Sequence, residues 1–99
     1  MKAVRIFHDK TLLPDGFIVE MVIWQLPQVS ISIERPHGLK YRLFFGRGGQ
    51  RLVGYDNESG KGDHKHILDI EKRYKFTSIE KLVSDFLSDV ERVRNEQNK

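Results

Sequence analysis

Residues 54–66 read GYDNESGKGDHKH, and this run gathers most of the side chains in the chain that could do chemistry. It holds His64 and His66, the carboxylates Asp56, Glu58 and Asp63, and the lysines Lys61 and Lys65, spaced by Gly54, Gly60 and Gly62. Extended backbone across His64-Lys65-His66 sends both imidazoles out of one face, about 7 Å apart, and puts Asp63 and Lys65 on the other. Cleavage of RNA through its 2′-hydroxyl needs a base for that hydroxyl, an acid for the leaving 5′-oxygen and fixed positive charge on the phosphate. Histidine serves both proton roles near neutrality. His64 and His66 are therefore the candidate proton-transfer pair, with Asp63 or Glu58 as orienting carboxylates or spare bases. Arg51, Lys61 and Arg47 are available for the phosphate, and Tyr55 for stacking on a base. The glycines let backbone N–H groups come close to an anion.

Two other readings use the same residues. A His-x-His pair on a strand holds a divalent metal when a third ligand comes in, and Asp56, Glu58 or His37 could supply it, with His64, His66 and Asp56 the leading set. The proton-transfer reading needs no cofactor. Alternatively, Asp56-Asn57, Ser59-Gly60 and Gly62-Asp63 are ordinary turn formers, so Gly54, Asp56, Asn57, Gly60 and Gly62 would only shape a solvated loop. Gly46-Arg47-Gly48-Gly49 lacks the lysine–serine pair of a phosphate-binding P-loop and reads as a hairpin tip.

Charge points the same way as the histidines. The chain of 99 residues carries a net +3. Residues 40–66 hold Lys40, Arg42, Arg47, Arg51, Lys61 and Lys65 against Asp56, Glu58 and Asp63, while the flanking thirds balance. A localised basic surplus favours an anionic partner such as RNA, DNA or an acidic protein. There is no cysteine, which excludes disulfides and thiolate chemistry and fits a reducing cytoplasm. The start, MKAVRIFHDK, lacks the unbroken apolar core of a signal peptide, and the longest apolar stretch, Met21 to Trp24, is far too short to span a bilayer, so a soluble cytoplasmic protein without a membrane partner is expected. Nothing in the sequence sets an oligomeric state.

The elements that must position these residues follow from period and punctuation. Residues 2–8 alternate as a strand with Phe7 facing inward; Leu13-Pro14-Asp15-Gly16 is a turn; Phe17 to Leu26 is a long strand ended by Pro27 and carrying Trp24 into the core. Residues 28–38 alternate as a strand or an ordered loop. Leu39, Tyr41, Leu43 and Phe45 share one face of the next strand, with Lys40, Arg42 and Phe44 on the other. A glycine-rich hairpin returns the chain through Gln50 to Asp56, and His64 to Ile70 forms a last short strand. From Ser78 to Arg94, Ile79, Leu82, Val83, Phe86, Leu87, Val90 and Val93 recur at helical spacing behind a Thr77–Glu80 capping box. The expected fold is one α+β domain over residues 1–99: an antiparallel sheet of four or five strands with one long C-terminal helix on one face, and a frayed tail.

The strings FHDKTLLPDGFIVEMVIWQLP, LKYRLFFGRGGQRLVGYDNESGKGDHKH and YKFTSIEKLVSDFLSDV resemble the TumE family of small bacterial and archaeal proteins over nearly the whole chain. The most specific piece is similar to the family's GYDN-x-x-GKGDH-x-H signature, with Gly54, Tyr55, Asp56, Asn57, Gly60, Lys61, Gly62, Asp63, His64 and His66 in place. The resemblance implies the toxin of a two-gene toxin–antitoxin module, partnered by an antitoxin with a DNA-binding helix-turn-helix domain. It brings no reaction with it. RNA as substrate is an expectation from charge and histidine spacing, beside a non-enzymatic module acting by occupancy of its target and a metal-dependent nuclease or hydrolase.

Overall fold

The computed structural model describes residues 3–27, 37–57 and 62–99. The segment 28–36 and the candidates Glu58, Gly60 and Lys61 lie outside the described residues. Six strands, β1 (Val4–Leu12), β2 (Ile18–Gln25), β3 (Leu39–Arg47), β4 (Gln50–Asp56), β5 (His64–Ile67) and β6 (Ile70–Arg73), precede one helix, α1 (Ile79–Gln97). They form a single antiparallel sheet in the order of the chain. The α+β class stands as expected, with slightly more strands. The stretch read as one last strand is two, because Leu68 takes a left-handed φ of 54° and turns the chain back at Leu68-Asp69. A branched aliphatic residue gives no sequence signal for that conformation.

Alternation sorts the sheet into two unlike faces. Val19, Met21 and Ile23 of β2, Tyr41, Leu43 and Phe45 of β3, and Val53 and Tyr55 of β4 point to one side and form the core with Leu82, Phe86, Val90 and Val93 of α1. Ile79 and Leu87 of the expected apolar stripe stay largely exposed, as does Phe7, which was expected to face inward. A β-bulge between Arg5 and Phe7 interrupts the alternation of β1 there. These three residues instead line an apolar groove of about 750 Å³ between β1 and α1, with Ile6, Glu80, Val83 and Ser84. The helix begins one residue later than the sequence indicates. Its cap is Ser78, whose hydroxyl accepts from Lys81 N at 3.0 Å, and not Thr77.

The β3–β4 hairpin decides how β4 meets its neighbours. Gly48 and Gly49 take φ of 60° and 79°, which a two-residue hairpin loop requires. A register shift next to Gly46 then brings the chain so close that a Cβ on Gly46 would run into the Gln50 carbonyl oxygen and the Phe44 ring. Gly46→Ala is expected to cost about 1–3 kcal/mol, as overpacking does, and to lower the urea midpoint accordingly. An unchanged midpoint would contradict this packing.

Two carboxylates of α1 tie it to the sheet and to the residue that follows β6. Asp89 accepts from the Tyr55 hydroxyl, from Lys65 at 3.2 Å and from Arg92 at 3.1 Å. Asp85 accepts from Lys81 and from Tyr74, each at 2.7 Å. Burial pushes Asp89 up, but those hydrogen bonds outweigh it and hold its carboxyl below the usual value; Asp85 is held low by Lys81 first and Tyr74 second. The unfolded chain therefore takes up protons at a higher pH than the folded one. This part of the stability is complete above the ordinary carboxylate range and is lost as the pH falls through it. The urea midpoint is expected to fall between pH 6 and pH 3, and Asp89→Asn to flatten that fall; a slope unchanged by the substitution would contradict the role given to Asp89.

Candidate functional site

The other face of the sheet is covered by no described element. Register places Arg42, Asp56, His64 and Arg73 side by side in one row across β3, β4, β5 and β6. The next row carries Phe44, Gly54, His66 and Glu71. Both imidazoles thus leave the same face, as the spacing of His64 and His66 requires, and their ring centres lie 5.2 Å apart in a T-shaped contact. Gly54 sits beneath the Arg51 side chain: a Cβ there would come within 2.7 Å of Arg51 Cδ. The missing side chain lets the guanidinium lie across the strand beside His66. Burial lowers the pKa of His66, and the positive charge of Arg51 lowers it further against the opposing pull of Glu71. Its ring is held toward the neutral form, with a free lone pair.

His64 is differently placed. It is 4% exposed, so His66 is the imidazole of the pair that solvent reaches. Its Nδ1 faces the Gly62 carbonyl oxygen at 2.9 Å and donates to it, which leaves Nε2 to face Asp56. The turn that brings this carbonyl under the ring depends on Gly62 at a φ of 69°. Asp56 Oδ1 lies 2.7 Å from His64 Nε2, near enough for an ion pair. Yet that oxygen is buried and makes no hydrogen bond of acceptable geometry, so proximity alone does not satisfy it. Asp56, His64 and His66 each turn one donor atom toward a common point, all within 4.8 Å of one another.

Several expected site residues stand elsewhere. Asp63 is on the opposite side of the strand, with Lys65, as alternation demands. It accepts from Tyr41 Oη at 2.6 Å and pairs with His37 Nε2 at 3.1 Å. It does not orient the histidine pair; Asp56 has that position. Leu39 N donates to His37 Nδ1 at 3.1 Å, so the ring proton sits on Nε2 and is given to Asp63, and Phe76 packs on the ring with centres 4.1 Å apart. This is a histidine–aspartate staple between the start of β3 and β5. Tyr55 is fully buried against Phe86 and Tyr74 and bonded to Asp89, so it offers no face to a base. Arg47 lies 4.1 Å over the Phe17 ring and donates to the Asp15 carbonyl, on the helix side of the sheet. Asn57, fully buried, accepts from Tyr41 N at 3.0 Å and donates to Leu39 O at 2.8 Å, which fixes the end of β4 to β3. Of the described phosphate candidates, Arg51 alone is beside the histidines.

Cross-strand pairing adds residues that a single strand's pattern does not point out. Arg42 and Arg73 flank the Asp56–His64 row, and His64, Glu71, Lys72 and Arg73 line a polar hollow of about 440 Å³. The larger groove beside β1 carries no histidine and lies on the other side of the sheet. Over the whole uncovered face, Arg5, Lys10, Lys40, Arg42, Arg51 and Arg73 stand against Glu20, Asp56 and Glu71. Trp24 is on this face and not in the core; Lys40 Nζ sits 5.5 Å from its ring centre. No helix among the described residues is long and apolar enough to cross a membrane.

Fold and site define a small α+β protein with a helix on one side of an antiparallel meander and a basic, histidine-bearing face on the other. A family model described as Toxin TumE matches residues 3–94, and the chain belongs to that family. It is accordingly the toxin member of a toxin–antitoxin module, and an antitoxin is its implied partner. No curated protein and no solved structure matches the chain.

Proposed function

We propose that this toxin binds RNA across the uncovered face of its sheet and breaks the phosphodiester at the centre formed by Asp56, His64 and His66. The observation that carries the reading is one juxtaposition: the three donors share a face and adjacent rows with Arg42, Arg51 and Arg73. Phosphate contacts from arginine position a nucleic acid without reading its sequence, and Trp24 and Phe44 offer apolar surface to unstacked bases. In the reaction the 2′-oxygen attacks the adjacent phosphorus and loses its proton to a base at the centre. The P–O5′ bond breaks as the 5′-oxygen gains a proton, giving a 2′,3′-cyclic phosphate and a 5′-hydroxyl. Arginine charge beside the phosphate stabilises the negative charge that builds up on its oxygens. The antitoxin that restrains this activity is expected to carry a DNA-binding helix-turn-helix domain. The test is to incubate purified protein with total RNA and compare it with His66→Ala. Fragments produced by the parent and not by the variant support the reading; RNA left whole by both, or cut equally by both, refutes it.

A further inference from the structure

We propose that Asp56, His64 and His66 form a binding site for one divalent transition-metal ion, held through Asp56 Oδ1, His64 Nε2 and a ring nitrogen of His66. Three observations converge on this. First, the donors lie within 4.8 Å of one another, and ligand atoms about 2.1 Å from one tetrahedral ion stand about 3.4 Å apart. Side-chain rotations that draw the outermost donors together by about 1.4 Å would close the set. Second, the far nitrogen of His64 is already committed: Nδ1 donates to the Gly62 carbonyl at 2.9 Å, so Nε2 is the nitrogen turned toward Asp56. Metal-bound histidines are oriented in this way by a hydrogen bond from the nitrogen that does not touch the ion. Third, that nitrogen faces a buried carboxylate oxygen, 2.7 Å away, that makes no hydrogen bond of good geometry. Either a proton or a metal ion can lie between two such atoms, and a bound ion would displace the proton that they otherwise share.

The backbone supports the same assignment. Asp56 and His64 are directly paired residues of β4 and β5, and His66 is two positions along the same strand. All three ligands therefore stand on strands and not on a loop, which favours a pre-organised site. Two imidazoles and one carboxylate select an ion such as zinc over magnesium or calcium, which prefer oxygen alone. Three protein ligands leave at least one coordination position open, the pattern of a site that meets a substrate. What the ion would do there, drawing charge from the phosphate oxygens of RNA, rests on the function proposed above; its binding does not.

Tag-free protein is stripped with EDTA, dialysed and titrated with Zn²⁺ in a calorimeter. The parent is expected to bind one ion per chain, at least about 10-fold more tightly than His66→Ala or Asp56→Asn, a loss at least as large as removing a supporting residue causes. His8→Ala, which alters a histidine paired with Glu20 away from this centre, is expected to bind as the parent does. Zn²⁺ is also expected to raise the thermal unfolding midpoint of the parent and not of Asp56→Asn. Those two variants spare the buried His64 ring, so a loss of binding reports on ligation rather than on unfolding. Absence of binding, or equal binding by all four proteins, overturns the site. If stripped protein cuts RNA at the full rate while His66→Ala does not, the metal's part in the reaction is overturned and proton transfer by His66 stands. If Zn²⁺ binds as stated and RNA stays whole, the metal site stands and the RNA reading falls.

Discussion

Replacing His66 by alanine is expected to release cells from growth arrest while the protein remains folded. The side chain projects from the uncovered face and takes no part in the core, so its loss leaves the sheet and α1 in place. Its removal takes away the one imidazole of the pair that substrate can reach, and with it an effect worth about 10²–10⁴-fold where such a group moves a proton. Induced expression of parent and variant, with the folded fraction followed by circular dichroism, reads both halves of the expectation. Growth arrest of parental strength from a folded His66→Ala protein would contradict it. Arg51→Ala is the natural companion, since it removes charge beside His66 without touching a ring.

The second large effect concerns the helix that leaves the other face open. Phe86 is fully buried and meets the edge of the Tyr55 ring, with centres 5.7 Å apart. Phe86→Ala removes that contact and opens a cavity between α1 and β4. The expected loss is about 3–5 kcal/mol, the usual range for a buried phenylalanine. Domains of this size hold roughly 5–15 kcal/mol in all, so much of the margin goes with one ring. Urea unfolding measures it directly. A loss below about 1 kcal/mol would mean that α1 is not docked where Tyr55 and Asp89 place it.

Much of this architecture is legible in strands where every second residue is apolar. Leu39 to Phe45 shows its two faces at once, and they are the faces the structure has. The same rule tells against two site candidates. Tyr55 shares its side of β4 with Val53, and Asp63 shares its side with Lys65, so neither can stand beside the histidines. Other features leave no local trace. His37 and Asp63 meet across 26 positions, and Arg42 joins the Asp56–His64 row only through strand register. The turn at Leu68 is hidden because its residue type argues against the conformation it adopts. The buried, unsatisfied Asp56 oxygen is likewise a property of packing: in the sequence, Asp56 reads as part of a turn.

The central claim is catalysis at the uncovered face, as opposed to toxicity by occupancy of a target. The most direct measurement supplies labelled single-stranded RNA in large molar excess over purified protein and counts strands broken per chain. Many breaks per chain by the parent, with none by His66→Ala, is the result this account predicts. RNA that is bound but stays intact, or a yield of breaks that His66→Ala matches, would contradict it.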